Sequence, residues 1–339
     1  MSQRSVRPEV LELVRRHGDD TLSFFKLRDD LEHLIATGGE ALIGYAVLGG
    51  VLLVAGDPVG PPDALPPLLA RARTLARQRR LRLAVLGASV RTRPALEAAG
   101  LRCLYVGDEA IVETEAFSTR GTEMRRLRKP ALRLQREGHT IEVRRLGDLA
   151  EAELAELEAL AARALGRAPE RSFAWAMDTL RGAHQADTVV VVGRDPAGAT
   201  RGLLHLVPSH GRPAWSVSMM RRDPSAANGL MDVLVLEAIA AASAADIAEL
   251  SLNFAAFSRW LREPHGRLEH AGGRAVRVAS RYVQMESLLR FNAKFRPRWD
   301  ERFLAYEGRL GFARAGLAAL RIEGQLHHGL RRGRDRLLN

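Results

Sequence analysis

The sequence predicts a mixed α/β fold, of the α+β kind, laid down twice along one chain. Three observations point there. Strand-like apolar runs and helix-like stripes follow one another in the same order in both halves. At 339 residues the chain is long enough for two domains of about 150 residues each. A leucine-striped helix lies between them. The composition agrees: 46% hydrophobic and 27% charged residues are globular proportions, not those of a disordered or fibrous chain.

In the first half, ALIGYAV (41–47) and VLLVAGD (51–57) are apolar and β-branched, and Leu48-Gly49-Gly50 between them suits a tight hairpin turn. Leu65, Leu68, Leu69, Ala72, Leu75 and Ala76 then recur at helical spacing. The strand RLAVLG (82–87) and a short helix around Pro94 to Ala99 come next. Gly100 stops that helix, and the strand-like run 101–114 follows. At the junction, Asp148 followed by Glu151 fits a capping pair. Leu149, Leu154, Leu157, Leu160 and Leu165 form an apolar stripe ended by Gly166 and Pro169. The second half reads as strands 187–192, 202–208 and 214–220, a helix Leu230 to Ala245, and a strand 249–255. Three antiparallel strands, a helix and a further strand is the order of the acetyltransferase-like (GNAT) fold. The expectation is tandem acetyltransferase-like domains, 1–147 and 169–308, joined by a linker helix 148–168. A Gly- and Arg-rich basic tail, 309–339, completes the chain.

Several classes are excluded early. The single cysteine, Cys103, forms no internal disulfide and cannot alone build a thiolate zinc site, so no metal is expected. The uncharged run Ala41 to Gly56 is short of the roughly 20 residues a spanning helix needs, and Gly49-Gly50 interrupts it. No charged-then-apolar signal opens the sequence. A cytoplasmic protein is expected, free or peripheral on the inner face of the membrane. Net charge is +11, and from Arg259 to Asn339 18 basic residues face 8 acidic ones. Charge concentrated in this way suggests a polyanionic partner, nucleic acid or anionic lipid. The segment Arg120 to Arg145, with nine Arg or Lys and three Glu, is a second basic stretch that could track an RNA backbone.

Four stretches carry a resemblance: GDPVG (56–60), the block 107–143, SVSMMRRDPSAANGLMDVLVLEAI (216–239) with LSLNFAAFSR (250–259), and QMESLLRFNAKFRPRWDERFLAY (284–306). Together they resemble the soluble catalytic domain of the lysylphosphatidylglycerol synthases, the multiple peptide resistance factor family. The Asn-Ala-Lys-Phe-x-Pro-x-Trp run is the most specific part. The resemblance implies transfer of an aminoacyl group from a charged tRNA, as co-substrate, to the hydroxyl of phosphatidylglycerol, with no cofactor. Members usually carry a membrane flippase ahead of this domain. The expectation here is a chain that meets its lipid as a peripheral protein, or one whose acceptor is a soluble small molecule, as in seryl transfer within a biosynthetic pathway.

An aminoacyl ester is already activated, so its transfer needs a positioned hydroxyl, a route for its proton and a donor for the oxyanion. Arg221 falls on the Arg of the family's Asp-Leu-Met-Arg motif, which implies substrate or oxyanion binding; Ser218 stands where that motif has its Asp. Serine can hydrogen-bond but cannot neutralise an ammonium group. Lys294, one of only three lysines, is assigned with Arg221 to catalysis, near the aminoacyl ester. Arg290, Arg296 and Arg298 flank it as phosphate contacts. Asn228, expected to cap the long helix, and Asn253, at a strand end, are read as substrate-binding. His205, inside a strand, is included with them, although a satisfied core histidine fits the same position. GDPVG reads as a structural turn around Asp57. The nearest rival is an acetyl-CoA-dependent N-acetyltransferase, but RRDPSAANG offers no glycine before Gly229 to cradle a pyrophosphate.

Overall fold

The computed structural model describes residues 7–165, 179–181, 183–256, 258–259, 282–308 and 311–322. Eleven strands form one sheet: β1 (Glu32–Ile35), β2 (Leu42–Leu48), β3 (Val51–Ala55), β4 (Arg82–Ser89), β5 (Leu101–Glu113), β6 (Thr140–Arg145), β7 (Val189–Arg194), β8 (Thr200–Ser209), β9 (Ala214–Arg222), β10 (Glu249–Ala256) and β11 (Arg298–Glu307). The described helices are α1 (Pro8–His17), α2 (Leu65–Gln78), α3 (Arg93–Ala98), α4 (Arg125–Arg136), α5 (Glu151–Leu165), α6 (Leu230–Ala244), α7 (Tyr282–Ala293) and α8 (Gly311–Ile322). Gly166, Pro169 and most of the expected tail fall outside the described residues.

The expected order is present twice. β1–β2–β3 are antiparallel, α2 crosses over, and β4 lies parallel to β3. β7–β8–β9 are antiparallel, α6 crosses over, and β10 lies parallel to β9. Gly49 and Gly50 turn the β2–β3 hairpin with φ of 57° and 79°, the paired positive values that a two-residue turn of this hand requires. α5 packs Leu157 and Leu160 against β7 and β8. Its first turn is closed by Glu153, whose Oε2 accepts from the Ala150 amide at 2.9 Å. The expected Asp148 is not that cap: it lies in the preceding 3-10 turn, and Arg144 bonds its carbonyl.

The two halves are interlocked by their last strands. Sheet order is β1-β2-β3-β4-β11-β5-β10-β9-β8-β7-β6. β11, from the end of the chain, lies between β4 and β5, and β5 lies between β11 and β10. Each half therefore completes the other's sheet.

A buried ion cluster sits at this crossing. Arg302 on β11 reaches Asp20 at 2.6 Å, Glu109 on β5 at 3.0 Å through Nε, and the Gly87 carbonyl at 3.2 Å. Ser251 on β10 donates to the other Glu109 oxygen. Arg302, Asp20 and Glu109 are each under 6% exposed. Burial alone would push the Asp20 carboxyl up, but Arg302, Lys26 and Arg91 together hold the group below its ordinary value. The neighbouring Lys26 is fully buried, and among the described residues its ammonium finds no hydrogen-bond partner. Burial lowers its pKa to about 8, against the partial support of Asp20 and Asp57.

Removing one partner from such a cluster leaves opposite charges buried and unpaired, which costs about 3–5 kcal/mol. Arg302→Met is expected to lose that much in urea unfolding at pH 7; a loss below about 1 kcal/mol contradicts the assignment. Lys26 sets a pH dependence. Below pH 8 folded and unfolded chains both hold the proton, and burying the charge costs stability in full. Between pH 8 and 10.5 only the unfolded chain keeps it, so stability rises with pH, by about 3 kcal/mol for a shift of this size. Measured against Lys26→Met, the native protein should gain stability across that window; a difference flat with pH refutes it.

Candidate active site

Parallel strands joined through a helix leave a seam between them, and ligands of such sheets bind where the strands part at their carboxyl ends. The seams in the two halves differ. In the first, β3 and β4 pair from Val51–Arg82 to Ala55–Leu86, and Gly56 N then donates to Leu86 O at 2.8 Å. Beyond it, Asp57 accepts from the Ser89 amide at 2.8 Å and the Ser89 hydroxyl at 2.5 Å. GDPVG, expected as a turn, thereby stitches this seam shut.

In the second half, β9 and β10 pair only from Ala214–Glu249 to Ser216–Ser251. The register of β10 then slips between Ser251 and Phe254, and Asn253 takes φ 69°. Asparagine is one of the few side chains that tolerates this region. Its Nδ2 donates to Val217 O at 3.0 Å, and its Oδ1 accepts from the Phe254 amide at 2.8 Å. The side chain thus spans the gap the ladder leaves. β9 carries its own irregularity there: Val217 faces Leu206 and Met219 faces His205, so Ser218 is the extra residue, 2% exposed. Asn253 thus bonds the backbone directly before Ser218, where the strands part.

Arg221 lies further along β9, opposite Leu203. Directly paired residues share a face, and Leu203 packs with Leu157 and Leu160 of α5. Arg221 therefore projects on the α5 face. Lys294 follows α7 on the other face, its Nζ 2.7 and 2.9 Å from the two oxygens of Asp232 in the first turn of α6 and 5.1 Å from the Phe291 ring centroid. The structure does not bring Arg221 and Lys294 together, and the charge of Lys294 is balanced by a carboxylate only 9% exposed.

The remaining expected contacts scatter. His205 is fully buried, with Nε2 3.0 Å from Thr188 Oγ1, and is a core histidine rather than a ligand contact. Asn228 does not cap α6. Gly229 does, at φ 81°, where a Cβ would stand 2.6 Å from Pro130 Cβ; the Asn228 amide oxygen instead accepts from Arg222 at 3.4 Å. Arg298 is bound to Glu113, Glu249 and Asp300, each at 2.9 Å. Arg290 is exposed on α7. Arg296, exposed, lies 3.5 Å from Glu123. With Arg120, Phe117 and Ser118, Arg296 and Arg298 line a cleft of about 530 Å³ where β5 ends, at the opposite end of β10 from the seam. Among the described residues no group of three His, Cys, Asp or Glu could hold a metal ion.

The sequence profile of the family described as phosphatidylglycerol lysyltransferase, C-terminal, matches residues 11–306. This chain belongs to that family. It is 35% identical over 320 residues to the lysylphosphatidylglycerol biosynthesis bifunctional protein LysX of Gordonia bronchialis, a match covering 92% of this chain and 28% of the relative. The corresponding protein of Mycobacterium tuberculosis is 34% identical over 312 residues, covering 91% of this chain and 26% of the relative. The chain thus spans about a quarter of the length of these relatives. In fold it is similar to the L-PGS structure from Bacillus licheniformis, with a TM-score of 0.79 at 22% identity, covering 96% of this chain and 99% of that one.

A group missed in the sequence lies just past β10, on its β5 side. The Ser258 hydroxyl, fully buried just past β10, donates to Asp108 on β5 and lies 3.2 Å from the Tyr105 hydroxyl. Tyr105 in turn accepts from the Arg259 amide at 2.9 Å, under a guanidinium 4.2 Å from its ring centroid. Burial raises the Tyr105 pKa and keeps the phenol neutral. Ser258 follows the Asn253 run, but nothing in sequence spacing ties it to Asp108, 150 residues earlier.

The Lys294–Asp232 pair has a direct test. Lys294→Ala should destabilise by about 2 kcal/mol, and a cycle with Asp232→Ala should return a coupling energy of about 1–2 kcal/mol. A coupling near zero means the ammonium is not held by Asp232.

Proposed function

We propose that this chain transfers an amino acid from an aminoacyl-tRNA to a hydroxyl of phosphatidylglycerol, at the unpaired seam between β9 and β10. The carrying observation is the contrast of the two seams within a family match running from residue 11 to 306: one is stitched by Asp57 and Ser89, the other parted at Ser218 and Asn253. The acceptor oxygen attacks the ester carbonyl, its proton leaves, and the terminal ribose hydroxyl of the RNA departs with a proton. Arg221, at the carboxyl end of β9, supplies the guanidinium for the developing oxyanion or the acceptor phosphate. Asn253 positions this edge through its bond to Val217 O. Lys294 fixes the end of α7 to α6 and takes no part in the chemistry. The chain works from the aqueous side of a lipid surface; no described helix is long and apolar enough to cross a membrane.

Ser218 leaves β9 without a carboxylate where the family motif has one, so the amino acid is held without a counter-charge from that position. A coenzyme A reading gains no support. The turn before α6 carries Asp223, hydrogen-bonded by Ser225 and ion-paired with Arg163 and Arg201, and offers no glycine before Gly229 to let a pyrophosphate approach the backbone.

Lysyl-, alanyl- and seryl-tRNA carrying labelled amino acid are offered with phosphatidylglycerol vesicles, and lipid-borne label is counted. Ribonuclease should abolish transfer, and Arg221→Ala should lower it by about 10²–10³ while far-UV dichroism stays unchanged. Transfer that survives ribonuclease, or an Arg221→Ala protein with native rates, overturns the proposal.

A further inference from the structure

Among the described residues about half of the arginines form ion pairs with a carboxylate. Arg144 lies with Glu153, Arg194 with Glu156, Arg201 with Asp195, Arg181 with Glu151 and Glu158, and Arg298 with three carboxylates. On α4 the basic residues crowd together instead. Arg125, Arg126, Lys129, Arg133 and Arg136 are all exposed, and of these only Arg133 has an acidic neighbour, Glu137 at 3.7 Å, among the described residues. At 3.6 residues per turn the five fall within about 100° of the helix circumference and run along about 17 Å of its length. They form one cationic stripe. The opposite side of α4 is occupied: Leu127 and Leu134 are buried with α6 in the second-half core.

The stripe has a direction. At its carboxyl end Arg133 donates to the Asn228 carbonyl, and Arg222 donates to Ala226 O at 2.7 Å and to Asn228 Oδ1. That loop joins β9 to α6, so the stripe ends beside the strand end that carries Arg221. At its amino end stands the Arg120–Arg296 cleft.

We infer that the exposed face of α4 is a track for the phosphodiester backbone of an RNA, leading its end toward the β9–β10 seam. The inference rests on the proposed transfer reaction and adds to it where the RNA lies. A duplex strand presents one phosphate per about 3.4 Å of axis, so the stripe meets roughly five in a row. Charge of one sign without hydrogen-bonding pockets grips a backbone and ignores its sequence. A bilayer is the poorer partner. An interfacial helix needs an apolar face to sink among the headgroups, and that of α4 is already spent on α6, leaving Leu132 as the one large exposed apolar side chain on the helix.

The test removes three charges that have no ion pair or side-chain hydrogen bond among the described residues: Arg125→Gln, Lys129→Gln and Arg136→Gln together. Binding of an unacylated tRNA transcript is followed by fluorescence anisotropy from 50 to 200 mM NaCl, beside sedimentation with phosphatidylglycerol vesicles. The expected result is a loss of about tenfold or more in tRNA affinity at 100 mM, a slope of log K against log salt shallower by about 3, and unchanged vesicle binding. Native affinity and slope in the variant overturn the track, and so does a variant that loses vesicles while keeping tRNA. If the native chain transfers amino acid while the variant binds tRNA as tightly, the track alone fails. If the native chain binds no tRNA, the track and the reaction fail together.

Discussion

Two parallel strands that stop pairing after three residues decide where this protein can act. A parallel pair has no reason to part unless its backbone groups find other partners, because an unbonded buried amide costs free energy. Asn253 supplies the partner on one side, lending its side-chain amide to Val217 O across the gap. The same position in the first half shows the alternative. Gly87 also lies at a register slip with positive φ, of 79°, yet Asp57 bonds Ser89 two residues on, and the strands stay together. One architecture, used twice, yields one stitched seam and one parted seam.

The parted seam loses cohesion that the sheet must find elsewhere. Strand exchange provides it: β5 and β11 each complete the sheet of the other half, and Arg302 locks the crossing by joining Asp20, Glu109 and the Gly87 carbonyl. A buried ion group of this kind is an inefficient stabiliser compared with packed hydrocarbon. It specifies a register instead. Only one alignment of β11 places the guanidinium between the two carboxylates, and a slip of one residue turns Arg302 to the opposite face.

Local patterning carried the elements well. The Gly49-Gly50 hairpin, the α2 and α6 crossovers and the long β5 follow from alternation, stripes and turn residues that act over a few positions. What stayed hidden acts over hundreds. The 284–306 block stood out as a motif, but nothing in it says that β11 inserts between β4 and β5. Arg221 and Lys294 were paired in the sequence by charge and motif. The structure sets them on opposite faces, and Asp232 in the first turn of α6 holds the lysine. Asn228 looked like a cap because asparagine often is one; Pro130 of a distant helix leaves room there only for Gly229 and moves the cap by one residue. Asn253 was legible as a polar strand end, though its left-handed backbone was not.

Two seams share a plan, and the chemistry belongs to one of them. A structure of the protein bound to a short RNA hairpin carrying an amide-linked 3′-aminoacyl group tests this most directly. The aminoacyl carbonyl is expected between β9 and β10, past Ser218 and within hydrogen-bonding reach of Arg221. The same group found between β3 and β4, or in the cleft beside Arg296 and Arg298, contradicts it.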